Sequence, residues 1–286
     1  MVTLKSAFLS AAFCLATAGW VHADRPERVT EVVTADDCHQ AEVRLDFAAG
    51  TIALVPADIT DLVKLDIYYT PDAVRYDVDK TVRGDKCIVY LESERRRGWG
   101  DDDDSENEWT VQLSRKIPVS LEIDIGACEA RMDLGGVPLT GFSLDIGAAD
   151  LEIDFSAPNP KEIDDFKVDC GASALEITGL ANANARLMEF DVGVGSCEID
   201  LRGDIKGEVS LDISVGMGSM DVIVSKGTAV RVEGDDHWFS DIGFRGIDLE
   251  KVRDGVWETE DFDTATDRIV ISADVAMGSI DIHAKR

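Results

Sequence analysis

The chain has 286 residues, 45% of them apolar, and a formal net charge of −29 at pH 7. That charge excludes nucleic acid and anionic membrane surfaces as partners and favours basic surfaces and divalent cations. The length suits one large domain or two small ones.

Residues 1–23 read as a secretory signal peptide. Lys5 precedes an apolar run from Ala7 to Trp20, and Val21 and Ala23 fit the compact positions of a peptidase site. The run is too short to span a bilayer. Phe13 stands before Cys14, where a lipoprotein signal requires a small residue. The mature chain is therefore expected to start at Asp24, to be exported to the periplasm, cell surface or medium, and to insert into no membrane.

Five further cysteines follow: Cys38, Cys87, Cys128, Cys170 and Cys197. An exported chain can hold disulfides. Cys38 and Cys87 flank strand-like segments in the N-terminal third and are the pair expected to bridge. The odd count leaves at least one thiol free or paired between chains, and none has the spacing of a zinc site.

Residues 24–115 are read as an N-terminal β segment that opens the fold. Leu62–Tyr69, Ala73–Asp79, Cys87–Glu92 and Trp109–Leu113 have the composition of short strands. A charged loop, 93–107, interrupts them with Arg95–Arg97 and Asp101–Asp104.

From residue 116 to 286 one phrase recurs, an alternating run leading to Gly with a second alternating run beyond it. Its markers are Gly126, Gly147, Gly171, Gly193 and Gly216, spaced by 21, 24, 22 and 23 residues, with Ala276 in the same place near the end and Ala48 in an earlier echo. A period near 22 fits a solenoid turn better than a propeller blade or a helical repeat. The expected fold is all-β, a single-stranded parallel β-helix (β-solenoid) with about 22 residues per turn. An insertion, 232–266, breaks the period and is read as a flap that caps or crosses the stack, before a last rung returns at Ile269–Ile282.

Period-two alternation sends the apolar columns inward and the charged columns outward. Asp124, Asp145, Asp169 and Asp191 stand two residues before the marker, and Glu152, Glu176 and Glu198 stand in one column beyond it. Stacked rungs would hold like charges about 4.8 Å apart, a repulsion of about 0.9 kcal/mol per pair in water. These seven residues are the candidate ligand-binding or cation-binding face; the alternative is a solvated surface screened by salt.

No nucleophile elbow is present, and His39, His237 and His283 have no ligand spacing, so no catalytic residue, metal ligand set or cofactor is expected. Asp101–Asp104 lack the spacing of a calcium loop. Trp99, Trp238 and Trp257 are the only hints of a sugar platform, and each serves as well as a packing anchor.

The Gly-marked rungs, the Asp191-Val192-Gly193-Val194-Gly195-Ser196 corner and the Pro158–Pro160 break resemble the bacterial toast-rack domains of adhesin-like and Lia-type envelope-stress proteins. The resemblance covers nearly all of the chain after the signal. It implies a β-helix that acts as an extracytoplasmic interaction module, with an envelope protein or polysaccharide as partner. Two other roles stay open, a carbohydrate-active β-helix and an extracytoplasmic partner in envelope-stress sensing.

Overall fold

The structure is a computed structural model that describes residues 25–36, 38–96, 105–234 and 240–285. The signal segment with Cys14, the Trp99 and Asp101–Asp104 stretch, and His237 and Trp238 lie outside the described residues.

Among the described residues, sixteen strands form one sheet system: β1 (Glu27–Val33), β2 (Gln40–Ala57), β3 (Val63–Tyr69), β4 (Val74–Arg83), β5 (Lys86–Arg95), β6 (Asn107–Ser114), β7 (Val119–Asp133), β8 (Leu139–Asp154), β9 (Phe166–Thr178), β10 (Leu187–Asp200), β11 (Glu208–Ser225), β12 (Ala229–Gly234), β13 (Ser240–Arg245), β14 (Glu250–Arg253), β15 (Val256–Glu258) and β16 (Arg268–Lys285). The long strands β2, β7, β8, β9, β10, β11 and β16 stack in parallel in that order. Each is one rung, with an inward and outward alternation on either side of a central bend.

The register explains why the phrase recurs. Ile123 pairs with Leu144, Leu144 with Val168, Phe190 with Val168 and Ile213. Beyond the bend, Met132, Ile153, Ile177, Ile199, Val222 and Ile282 stack in the same way, and all of these side chains are buried. Each such side chain contributes about 1.5–3 kcal/mol by leaving water. Phe166 adds ring contacts to Phe142 at 5.0 Å and to Phe190 at 5.8 Å.

The bend admits little side chain. A Cβ on Gly193 would meet the Gly171 carbonyl oxygen at 2.7 Å, whereas Gly218 combines φ 153° with a 1.9 Å approach to the Gly195 oxygen. The marker thus answers to close stacking of backbones, and the second Gly of the corner answers to both stacking and conformation.

The Pro158–Asn159–Pro160 break joins turns on the remaining side. Asn159 is buried, and its Nδ2 donates to the carbonyls of Leu139 and Ala183 at 3.0 Å each. One side chain therefore ties three successive turns together where the backbone supplies only scattered links, among them Asn159 N to Asn182 O at 2.8 Å and the Ile163–Ala185 bridge.

Both ends depart from chain order. β5 and β6 form a split rung, β5 pairing with the first half of β2 and β6 with its second half. β5 continues through Arg95 and β6 starts at Asn107, so the excursion between them is shorter than the 93–107 loop read from composition. Asn107 fills the resulting corner: its Nδ2 donates to Ala49 O and Ser93 Oγ, and its Oδ1 accepts from Trp109 Nε1.

At the other end, β12 pairs with the first half of β16 and β13 with its second half. The last strand of the chain is therefore threaded between β11 and this outer split rung. β12 and β13, although irregular in period, supply the ladder partners beyond Ile269–Ile282, so this part of the insertion lies across the end of the long rungs.

Antiparallel strands flank β5, β6 and β12, and among the described residues none pairs with the outer side of β13. β4 lies on β5, β3 on β6 and β1 on β3 at one end, and β15 and then β14 lie on β12 at the other. Cys38 and Cys87 form a disulfide, with Cα atoms 5.7 Å apart, that fastens β2 to β5.

Candidate functional site

The stacking register builds two rows of carboxylates on the outer surface. On the first half of the rungs Asp46, Asp124, Asp145, Asp169 and Asp191 are cross-strand neighbours, with Ser214 and Asp274 continuing the row. On the second half the row is Arg131, Glu152, Glu176, Glu198, Asp221 and Asp281. All seven candidates, Asp124, Asp145, Asp169, Asp191, Glu152, Glu176 and Glu198, are exposed. The structure brings them together as two lines on either side of the bend, not as one cluster.

Basic side chains sit at the ends of these lines. Arg131 Nε reaches Glu152 at 3.3 Å, and Arg44 Nε reaches Glu122, beside the first row, at 3.3 Å. At the far end His283 Nε2 lies 2.6 Å from Asp221 Oδ1, and Arg245 lies 3.6 Å from Asp281. His283 is thus engaged in the row itself.

The first row has a head that the sequence pattern did not reveal. Glu92 of β5 pairs with Asp46, and Asp77 of β4 pairs with Glu92. A hydrogen bond with Glu94 and the charges of Asp46 and Asp77 lift the Glu92 carboxyl above its ordinary range. Burial, together with Asp124 and Glu94, does the same to Asp46. The alternation of Cys87–Glu92 against Ala41–Phe47 is the signal that could have marked this rung.

Among the concavities of the described surface, two follow the C-terminal parts of the rows. One runs over Asp191, Asp212, Ser214 and Asp274 and is walled by the Arg253–Gly255 turn between β14 and β15. The other is a shallow depression over Glu152, Glu176, Glu198 and Asp221. Among the described residues no three His, Cys, Asp or Glu side chains converge to hold a metal ion. Calcium requires oxygens that converge from several directions, which two flat rows do not supply.

The remaining reactive groups are occupied in packing. Burial raises the thiols of Cys128 and Cys170 to about 11, so neither is an available thiolate near neutrality. Trp257 stacks on Phe244 at 5.5 Å with Lys251 over its ring, which makes it an anchor of the outer rung. Trp109 is buried. No helix among the described residues is long and apolar enough to cross a membrane.

No curated protein matches the chain. Among solved structures, a "putative cell adhesion protein" from Clostridium sporogenes ATCC 15579 is 14% identical over 91% of this chain and 100% of its own, with a TM-score of 0.48. A "putative adhesin" from Bacteroides fragilis NCTC 9343 is 10% identical over 91% of this chain and 98% of its own, with a TM-score of 0.38. A "putative lipid binding protein" from Parabacteroides distasonis ATCC 8503 is 10% identical over 91% and 97%, with a TM-score of 0.29. The family model for the N-terminal domain of toast_rack, DUF2154, matches residues 22–178 and 162–223. That match covers more than half of the sequence and spans the parallel rungs from β2 to β11, and on it the chain belongs to the toast-rack family.

Proposed function

We propose that this protein is an exported, non-catalytic binding or scaffold module of the cell envelope, a toast-rack β-solenoid of about 22 residues per turn, whose working surface is its pair of outer carboxylate rows. The observation that carries the reading is the register. Asp124, Asp145, Asp169 and Asp191 stack without interruption on exposed strand faces. Such a row stores repulsion that a basic partner relieves on binding, which favours an envelope protein with a cationic surface over a neutral or anionic polysaccharide. Divalent cations act on these rows as a screening atmosphere, with no dedicated site.

The experiment is to present the purified chain to immobilised envelope proteins and to envelope polysaccharides. Binding to basic proteins that weakens as salt rises supports the reading. Release of soluble sugar product from any polysaccharide overturns it in favour of a carbohydrate-active β-helix. Salt-resistant co-purification with a single membrane sensor would instead identify an extracytoplasmic partner in stress sensing.

A further inference from the structure

Between the two carboxylate rows the bend carries a third, apolar line. The residue after each marker pairs across the rungs: Ala49 with Ala127, Ala127 with Ala148, Val194 with Ala172 and Met217, and Met217 with Met277. In the rungs near the N-terminus this outward position holds Ala. In the last three long rungs, β10, β11 and β16, it holds Val194, Met217 and Met277, which are 50%, 49% and 49% exposed. Ala satisfies the backbone at this place in four rungs, so the fold does not require the larger side chains. Three large apolar groups in register on adjacent rungs form an exposed patch of the kind that marks an interaction surface.

The flanks of this ridge say what covers it. Asp191, Ser214 and Asp274 lie three residues before it, and Glu198, Asp221 and Asp281 lie four residues after it, on the same three rungs. A second copy of the chain would bring carboxylates against carboxylates, and an anionic bilayer would do the same. A partner with an apolar stripe bordered by Lys or Arg meets both features. Its spacing also fits: rungs repeat about every 4.8 Å, and a helix laid along the stack presents a side chain about every 5.4 Å.

We propose that the Val194–Met217–Met277 ridge is the docking line for an amphipathic, basic helical segment of a partner protein, its apolar stripe along the ridge and its cations over the two carboxylate rows. This deepens the envelope-binding reading and rests on it. Covering three half-exposed side chains corresponds to a gain in affinity of about thirtyfold over charge attraction alone.

The test uses the full mature chain and two labelled peptides of identical Lys and Leu composition, one with its leucines in a single helical stripe and one scrambled, read by fluorescence anisotropy. The striped peptide is expected to bind about thirtyfold more tightly. The combined V194S, M217S and M277S variant should bring it down to the scrambled peptide's affinity without changing the latter. L187S, which alters an exposed apolar residue of β10 off the ridge, should leave both unchanged. Equal binding of the two peptides, or a striped peptide indifferent to the serine variant, overturns the ridge proposal and leaves the carboxylate rows as the binding surface. If neither peptide binds at low salt, the basic-partner reading falls as well. Sedimentation velocity supplies the last arm: self-association abolished by the serine variant would make a second copy the occupant and overturn the proposal.

Discussion

Gly218 offers a test of what limits the stacking of rungs. It lies in the bend of β11 at φ 153°, and a Cβ added there would sit 1.9 Å from the Gly195 carbonyl oxygen of the neighbouring rung. Two costs follow for Gly218→Ala. Holding a residue with a side chain in that backbone region costs about 1–3 kcal/mol. Relieving the contact requires two backbones to separate, with loss of ladder hydrogen bonds worth about 1 kcal/mol each. Two other glycines separate these terms. Gly227 has φ 89° and nothing within 4 Å of an added Cβ, so Gly227→Ala carries the conformational cost alone. Gly193 has no positive φ but a 2.7 Å approach to Gly171 O, so Gly193→Ala carries the contact alone. Urea unfolding, followed by far-UV circular dichroism and tryptophan emission, should show a loss of about 3–5 kcal/mol for Gly218→Ala. Gly227→Ala should lose about 1 kcal/mol, with Gly193→Ala between the two. Because each rung touches only its neighbours, the damage should concentrate in β10, β11 and β16, visible as faster hydrogen exchange there. Equal losses for Gly218→Ala and Gly227→Ala would refute the close-stacking account.

Other consequences can be checked directly. Replacing Cys38 and Cys87 by Ser opens a loop of sequence separation 49 and should cost about 4 kcal/mol in denaturant titrations, whereas native Cys170 should react only slowly with a thiol reagent, since burial raises it to about 11. Burial pushes the Asp200 carboxyl up, but hydrogen bonds and charge from Arg202 outweigh it and leave it below the usual value. A depressed carboxylate contributes stability that is present above its unfolded value and lost as pH falls through its folded one, so Arg202→Ala should destabilise at neutral pH and become nearly silent in strong acid. Thermal unfolding should rise with salt as the rows are screened; at matched ionic strength calcium and magnesium should act alike, and a calcium-specific shift removed by chelator would reveal a metal site that the rows do not form.

Much of the surface was legible from alternation. Asp124, Asp145, Asp169 and Asp191 could be placed outward in one column because the side-chain period of a strand is two, and the recurring marker sets the register of every copy. Glu92 escaped because its strand shares the alternation without the marker: β5 ends at Arg95, and the rest of its rung resumes only at Asn107. The ridge escaped for a different reason. Val194, Met217 and Met277 each look like ordinary apolar residues in the chain, and it takes the bend, where two consecutive residues face outward, to expose them.

Local chemistry thus determined which side chains of each rung face the core and which face water, and that the rungs stack in register. It did not determine their order. Backbone ladders between parallel strands are blind to side-chain identity, so hydrogen bonding alone allows β16 to pair beyond β12 or inside it. The tertiary structure places it inside, between β11 and the β12 and β13 pair, and places β5 and β6 outside β2, because the outermost rungs are the ones that the antiparallel strands β3, β4 and β15 cover. Exposed strand edges invite uncontrolled pairing, and the antiparallel strands shift the free edge from the parallel rungs onto the short strands β1, β4 and β14, with β13 left as an edge of its own among the described residues.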